Sequence, residues 1–160
     1  MSPGRYPHDV SSPRADELAV VAVGGVLGAL ARASISTAVP HHDPAAWPWA
    51  TFVTNLLGCL LLGVVLAWVD VRRTGWLSSH PRRARLARPL LASGVLGGFT
   101  TFSTFSVESY LLVRHGAAAA GLVYAVSSAV LGVGLVLVGR RLGTAVLGPA
   151  ALDLTQDEAL

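Results

Sequence analysis

The sequence contains little charge, no lysine and a single cysteine. Only 13% of its 160 residues are charged, whereas 52% are hydrophobic and the mean hydropathy is +0.58. This composition argues against an ordinary soluble domain and is typical of a membrane protein. The lone cysteine, Cys59, excludes an internal disulfide. The twelve basic residues are all arginines that occur singly or in pairs, a pattern that argues against nucleic-acid binding.

Four apolar segments dominate the chain, and each is long enough to cross a membrane. A path of about 30 Å through hydrocarbon takes roughly 20 helical residues. We place the spans at about residues 18–39, 50–69, 89–113 and 117–139. The sequence therefore predicts an all-α membrane protein with one four-span domain over residues 18–141, between flexible tails at 1–17 and 142–160. Because four packed helices leave little room for a pore, solute movement by such a chain would require an oligomer.

The arginines are distributed unevenly between the two sides of the membrane. An even number of spans places both termini and the second loop, residues 70–89, on the same side. Ten of the twelve arginines fall there, which leaves only Arg32 and Arg114 on the other side. Under the positive-inside rule this asymmetry predicts a multi-pass protein of the cell membrane with both termini in the cytoplasm.

The first two spans carry polar residues for which the pattern leaves two interpretations open. Gly24, Gly28 and Arg32 are spaced by four residues and share one helical face. One interpretation is that the small residues pack against another helix while the arginine snorkels to the interface. The other is that the arginine places a positive charge at the mouth of an anion path, and the pattern supports both equally. In the second span Asn55 belongs to a polar strip, and helix-to-helix hydrogen bonding explains that strip at least as well as pore lining.

The third span has a poor helix interior near its centre. Gly97 and Gly98 are followed by Thr100 and Thr101, and both glycine and β-branched residues lower helix propensity. We therefore expect the third helix to be broken near the bilayer midplane. Carbonyls freed before such a break can coordinate a cation, and amides that open the second half can face an anion.

Aromatic and hydroxyl side chains beyond this break suggest an anion path. Phe102, Phe105 and Ser106 share one helical face. A phenylalanine pair usually packs, yet the positive edges of two rings can also hold a small anion. In the fourth span Tyr124 and Ser128 stack on one face, where both hydroxyls can donate to a dehydrated anion.

The stretch GGFTTFSTFSVES, residues 97–109, resembles the CrcB family of fluoride-specific channels, also called Fluc. Supporting matches are GGVLGALAR in the first span, TFVTNLLG in the second and YAVSSAVLG in the fourth, so the resemblance covers about residues 18–141. It implies a fluoride-selective channel, and not an enzyme, that passively exports fluoride and lowers its toxicity in the cytoplasm. It also implies an antiparallel, dual-topology dimer with two narrow pores.

The same resemblance implies roles for individual residues. The backbone carbonyls that match Gly97 and Thr100 hold a structural sodium ion that is not transported. The positions that match the fluoride pathway are Arg32, Asn55, Phe102, Phe105, Tyr124 and Ser128. Thr104 and Ser106, hydroxyl neighbours of the two phenylalanines, complete the pathway that we predict from the residues themselves. The chain departs from the family pattern at Ala33, Ala50 and Cys59, where a tyrosine, a glycine and a serine are expected.

The uneven arginines bear on the partner, because dual-topology homodimers carry little charge bias. We therefore expect this chain to pair, within membrane lipid, with a homologous four-span subunit of opposite orientation; a homodimer is the alternative.

Two other functions are alternatives to a fluoride channel. A small multidrug exporter would need a carboxylate in the first span, which has none, and a non-transporting scaffold would need only the glycine and serine faces. The HHD stretch at residues 41–43 lacks a converging nucleophile or ligand set, which argues against an enzyme.

Overall fold

The computed structural model describes residues 14–72 and 81–157, and this part of the chain is helical without strands. Its helices are α1 (Ala15–Ala38), α2 (Trp49–Arg72), α3 (Pro81–Arg88), a π-helix (Pro89–Leu96), α4 (Gly97–Phe99), α5 (Phe102–Arg114) and α6 (Ala118–Asp157). Four stretches are long and apolar enough to cross a membrane: Ala15–Ala38, Trp49–Val71, Arg85–Arg114 and Ala118–Leu147. The predicted all-α class and the four spans are confirmed. Residues 1–13 and 158–160 of the predicted tails and 73–80 of the second loop lie outside the described residues.

Helix α1 packs against residues 81–99, which lead into the third span and form its first part and which we call the incoming half. Both glycines of the first-span stripe are buried in this contact. A Cβ on Gly24 would lie 2.6 Å from the Leu90 carbonyl oxygen, and one on Gly28 would lie 2.7 Å from the Phe99 amide nitrogen. Since real Cβ atoms do not approach backbone this closely, the glycines allow the two helices to touch backbone to backbone.

Helix α2 packs against α6, and glycines again permit a close approach. A Cβ on Gly63 would lie 2.7 Å from the Arg140 amide nitrogen, and one on Gly139 would lie 3.2 Å from the Val64 amide nitrogen. The bundle therefore consists of two tight helix pairs, α1 with the incoming half and α2 with α6.

Helix α6 is longer than the predicted fourth span, which ended at residue 139. Its apolar part reaches Leu147, and helical backbone continues to Asp157. Gly143 still packs on α2, because a Cβ there would lie 3.3 Å from the Val64 Cα. Helix α6 thus stays in contact with α2 beyond residue 141, and the domain limits and flexible tails stay predictions.

The π-helix in the third span was not anticipated from the sequence. Pro89 opens it, and proline has no amide hydrogen and clashes with the carbonyl four residues earlier. The backbone widens over the following turns, so that the Gly97 amide donates to the Ala92 carbonyl, five residues back. Stretches of this kind are rare and occur often at functional sites.

Two residues with extended backbone separate the incoming half from α5. Thr100 has φ −81° and ψ 160°, and Thr101 has φ −145° and ψ 120°. We call residues 100–101 the extended segment. Before it, the third span packs against α1; after it, α5 packs against α6. The third span therefore changes its packing partner at the extended segment.

Ion pairs join the helix ends on the side of the second loop. Arg85 contacts Asp16, and its Nε lies 3.6 Å from a Glu17 carboxylate oxygen, which links α3 to the start of α1. Arg140 Nη2 of α6 lies 3.1 Å from Asp70 Oδ2 at the end of α2. Partly exposed pairs of this kind contribute about 0–1 kcal/mol each, so they orient the helix ends more than they stabilise the fold.

Candidate functional site

A cavity of about 410 Å³ lies beside the extended segment, between α2, the incoming half, α5 and α6. It brings together six of the ten residues predicted for the site. Its lining comprises Asn55, Gly58, Cys59, Leu62, Ala92, Leu96, Gly97, Thr100, Thr101, Phe102, Phe105, Ser128 and Ala129. The wall is mostly apolar, with a few polar groups around the extended segment, as is common for sites that bind small ligands.

The two phenylalanines sit at the start of α5 and face this cavity together. Their ring centroids lie 5.9 Å apart with an angle of 37° between the planes. Phe105 also contacts Tyr124, at 5.1 Å between centroids. Phe102, by contrast, is 81% exposed, so its ring projects away from the core of this chain. The pair therefore presents ring surface and edges both to the cavity and to the outside of the chain.

Asn55 holds the extended segment from α2. Its Nδ2 donates to the Thr101 carbonyl at 3.1 Å, and its Oδ1 accepts from the Thr101 amide at 2.9 Å. In an uninterrupted helix the Thr101 amide would donate to the Gly97 carbonyl, four residues back. Asn55 thus takes the donor that a continuous helix would give to Gly97. Asn55 fits both interpretations given from the sequence, because it makes hydrogen bonds to another helix segment and also lines the cavity.

Thr101 caps α5 and diverts a second helical donor. Its Oγ1 accepts from the Thr104 amide at 3.1 Å and donates to the Thr104 Oγ1 at 2.9 Å. The Thr104 amide would otherwise donate to the Thr100 carbonyl. The carbonyls of Gly97 and Thr100, the two residues predicted to coordinate a cation, therefore both lack their helical donors, which bond to Asn55 and Thr101 instead. The hydroxyl of Thr104 serves the cap and lies outside the cavity lining.

Arg32 of α1 contacts backbone of the incoming half just before the extended segment. Its Nε donates to the Gly98 carbonyl at 3.3 Å, and the side chain is half-buried. It lies outside the cavity lining, on the α1 side of the third span. The arginine is thus placed against backbone immediately before the extended segment, while its predicted part in an anion path stays a prediction.

Tyr124 packs against Phe105 outside the cavity lining and belongs to a polar cluster in the interior of the bundle. It is fully buried, and its hydroxyl donates to Glu108 Oε2 at 2.9 Å. The Thr51 hydroxyl donates to the other oxygen of the same carboxyl group at 2.8 Å. The sequence pattern singles out Tyr124 but misses that Thr51 and Glu108 converge with it. The available signal was that Glu108 is the only acid within the predicted spans.

The two predicted serines have different positions. Ser128 lines the cavity opposite the phenylalanine pair. Ser106 is exposed, and its hydroxyl donates to the Phe102 carbonyl one turn back at 2.8 Å, which is common for serine in membrane helices. Ser106 lies outside the lining, so the cavity does not unite it with the other candidates.

Comparison with known proteins places this chain in a family. Residues 19–140 match the family described as CrcB-like protein, Camphor Resistance (CrcB). A protein of Mycobacterium tuberculosis named fluoride-specific ion channel FluC 1 is 45% identical over 117 residues, which cover 72% of this chain and 81% of the relative. Proteins named fluoride-specific ion channel FluC are 41% identical in Thermus thermophilus, covering 81% and 96%, and 38% identical in Hyphomonas neptunium, covering 75% and 89%.

Proposed function

The chain belongs to the CrcB family, and we propose that it is a fluoride-selective channel subunit that lets fluoride leave the cell passively and so lowers its concentration in the cytoplasm. The observation that carries this proposal is the cavity where Phe102 and Phe105 lie with Asn55 and Ser128 beside the extended segment. The similar relatives are named for fluoride, and the site supplies groups suited to a small anion.

Fluoride must lose hydration water in a narrow path, and the site offers several replacements. Asn55 uses Nδ2 once, toward Thr101, and an amide nitrogen carries a second hydrogen. The Ser128 hydroxyl can donate, and the edges of the Phe102 and Phe105 rings carry partial positive charge. The first amides of α5 add the positive end of a helix. Close donors of this kind favour fluoride over chloride, because the smaller anion gains more from short contacts.

We also propose that the extended segment is the predicted break near the bilayer midplane and that it holds a structural sodium ion. The ligands from this chain are the carbonyls of Gly97 and Thr100. The support is that Asn55 and Thr101 take the amides that would otherwise pair with these two carbonyls. Sodium prefers oxygen ligands, and bound there it would supply fixed positive charge at the centre of the path.

The working channel is proposed to be an antiparallel dimer in the cell membrane, with both termini of this chain in the cytoplasm. Phe102 is 81% exposed, so a second subunit is needed to enclose its side of the path. Ten of the twelve arginines lie on one side of the predicted topology, which disfavours insertion of half the copies in reverse. The favoured partner is therefore a paralogous four-span subunit, with a homodimer as the alternative.

Fluoride efflux from liposomes tests these proposals. We expect selective fluoride efflux, with little chloride efflux, when this chain is reconstituted with a paralogous subunit from the same genome. Efficient fluoride efflux from this chain alone would refute the obligate heterodimer and leave the channel intact. Equal efflux of both anions would refute the selectivity. Failure of fluoride to leave, with the partner present and both subunits folded, would refute the function.

A further inference from the structure

Backbone carbonyls at the end of the incoming half lose their usual helical partners, and those of Gly97 and Thr100 are the two proposed for a cation. Another is the Gly98 carbonyl, which would pair with the Phe102 amide in a continuous helix. Phe102 instead opens α5, and the first amides of a helix have no partner within it. Arg32 Nε donates to the Gly98 carbonyl at 3.3 Å.

We infer that Arg32 is a positioning residue that withholds the Gly98 carbonyl from the cation site and thereby sets its cation preference. This inference rests on the sodium site of the proposed function. It differs from the predicted part of Arg32 in the fluoride pathway, because the contact that the arginine makes is with backbone before the extended segment and not with the cavity.

The packing of α1 explains why Arg32 meets this carbonyl. Gly25 and Gly98 are in backbone contact, since a Cβ on Gly98 would lie 2.9 Å from the Gly25 Cα. Arg32 follows Gly25 by seven residues and therefore lies on the same helical face. Side chains on a helix lean toward its N-terminus, so Arg32 reaches back along this contact to the Gly98 carbonyl.

Arginine has two properties that suit this role. Its guanidinium only donates hydrogen bonds, so it occupies the carbonyl without offering a ligand to a cation. It also keeps its positive charge, which opposes any cation bound at Gly97 and Thr100. If the Gly98 carbonyl were released, the site would gain an oxygen ligand from this chain. A larger number of carbonyl ligands suits a larger ion such as potassium.

Three substitutions separate the hydrogen bond from the charge. Arg32→Lys keeps a donor and the charge, Arg32→Gln keeps a donor without charge, and Arg32→Met removes both. Arg114→Gln is the matched control, because Arg114 lies at the far end of α5 and contacts the Tyr110 ring. The measurement is the thermal unfolding midpoint of the full-length channel complex, titrated with sodium or potassium chloride at constant ionic strength maintained with choline chloride.

We expect sodium to stabilise the wild type at lower concentration than potassium. Arg32→Lys and Arg114→Gln should preserve this preference. Arg32→Gln should lower the half-saturating concentrations of both ions by about tenfold, because a nearby like charge is removed, and keep the preference for sodium. Arg32→Met should also lower the half-saturating concentrations of both ions. It should reduce the preference for sodium over potassium by about fivefold or more, because the released Gly98 carbonyl favours the larger ion.

The outcomes distinguish this inference from its premises. A wild type that sodium does not stabilise would overturn the sodium site and the role of Arg32 with it. If sodium stabilises the wild type, but Arg32→Gln and Arg32→Met respond to both ions as the wild type does, the role of Arg32 is overturned and the sodium site stands. Fluoride efflux is measured on the same samples. Reduced efflux with an unchanged cation response would place Arg32 in the fluoride pathway instead, and absent efflux in the wild type would refute the channel function separately. If Arg32→Met does not fold, Arg32→Gln still tests the charge.

Discussion

Replacement of Asn55 by leucine should disrupt the extended segment, because leucine has the same branching of side-chain heavy atoms as asparagine but no hydrogen-bonding group. Asn55 makes two hydrogen bonds to Thr101, one to the carbonyl at 3.1 Å and one from the amide at 2.9 Å. Leucine makes neither. The Thr101 amide then has one alternative partner nearby in sequence, the Gly97 carbonyl, and pairing with it would extend the helix through the segment.

The expected cost follows from these two bonds. Hydrogen bonds between membrane helices contribute on average about 0.6 kcal/mol, with values up to about 1.7 kcal/mol. Polar groups left without partners cost about 1–3 kcal/mol each when buried, and those of Thr101 are only half-buried. We therefore expect Asn55→Leu to lower the free energy of unfolding by about 2–3 kcal/mol. Fluoride efflux should be lost, because the phenylalanine pair and the Gly97 carbonyl both depend on this segment.

Thr54→Val is the matched control, because it alters the neighbouring residue in the same helix. Thr54 is 1% exposed, and within the described residues its hydroxyl is buried without a hydrogen-bond partner. Valine has nearly the same shape, so this change should keep efflux and leave stability unchanged or slightly raised. Reversible unfolding in detergent and efflux from liposomes measure both effects. Equal stability and efflux in the two variants would refute the claim that Asn55 holds the extended segment.

Three further changes test other parts of the site. Phe102→Ile keeps an apolar side chain but removes the ring edges, so efflux should fall at least about tenfold while the unfolding midpoint changes little; normal efflux would contradict the pathway. Tyr124→Phe keeps the ring contacts and removes the hydrogen bond to Glu108 at 2.9 Å, which should cost about 1–2 kcal/mol in chemical unfolding, and a double-mutant cycle with Glu108→Gln should show coupling. Gly28→Ala should lower the free energy of unfolding by about 2–3 kcal/mol, because the added Cβ would meet the Phe99 backbone. Gly25→Ala should be neutral, because a Cβ added there would have no atom within 4 Å. Equal effects of the two substitutions would contradict the packing of α1.

The spans were predictable because their signal is local and strong. A run of about 20 apolar residues has few alternatives to a membrane helix, and the described helices begin and end within a few residues of most predicted limits. The exception is α6, where the apolar pattern continues past Gly139 and the prediction stopped at two arginines. Arg140 lies at the surface and pairs with Asp70, so the helix continues through a charged position.

The partners of the polar residues were not predictable, because they are distant in sequence. Asn55 and Thr101 are 46 residues apart, and Arg32 and Gly98 are 66 apart. A periodic pattern shows which helical face a side chain occupies but not which atom it meets on another helix. Six of the ten predicted site residues nevertheless line one cavity. Polar groups are costly in lipid, so a polar side chain within a span indicates a packed or functional position, and the fluoride path stays a prediction.

The position of the extended segment follows from tertiary packing as much as from local propensity. Gly97 and Gly98 weaken the helix over several residues, yet backbone becomes extended only at Thr100 and Thr101. This is also where the third span leaves α1 and joins α6. Arg32 on the α1 side and Asn55 on the α2 side bond to backbone within this short region. Because both helix pairs hold the segment, neither half can rejoin the other as a continuous helix without losing contacts to its own neighbour. The carbonyls proposed for sodium are therefore kept apart from helical donors by the packing of the whole bundle.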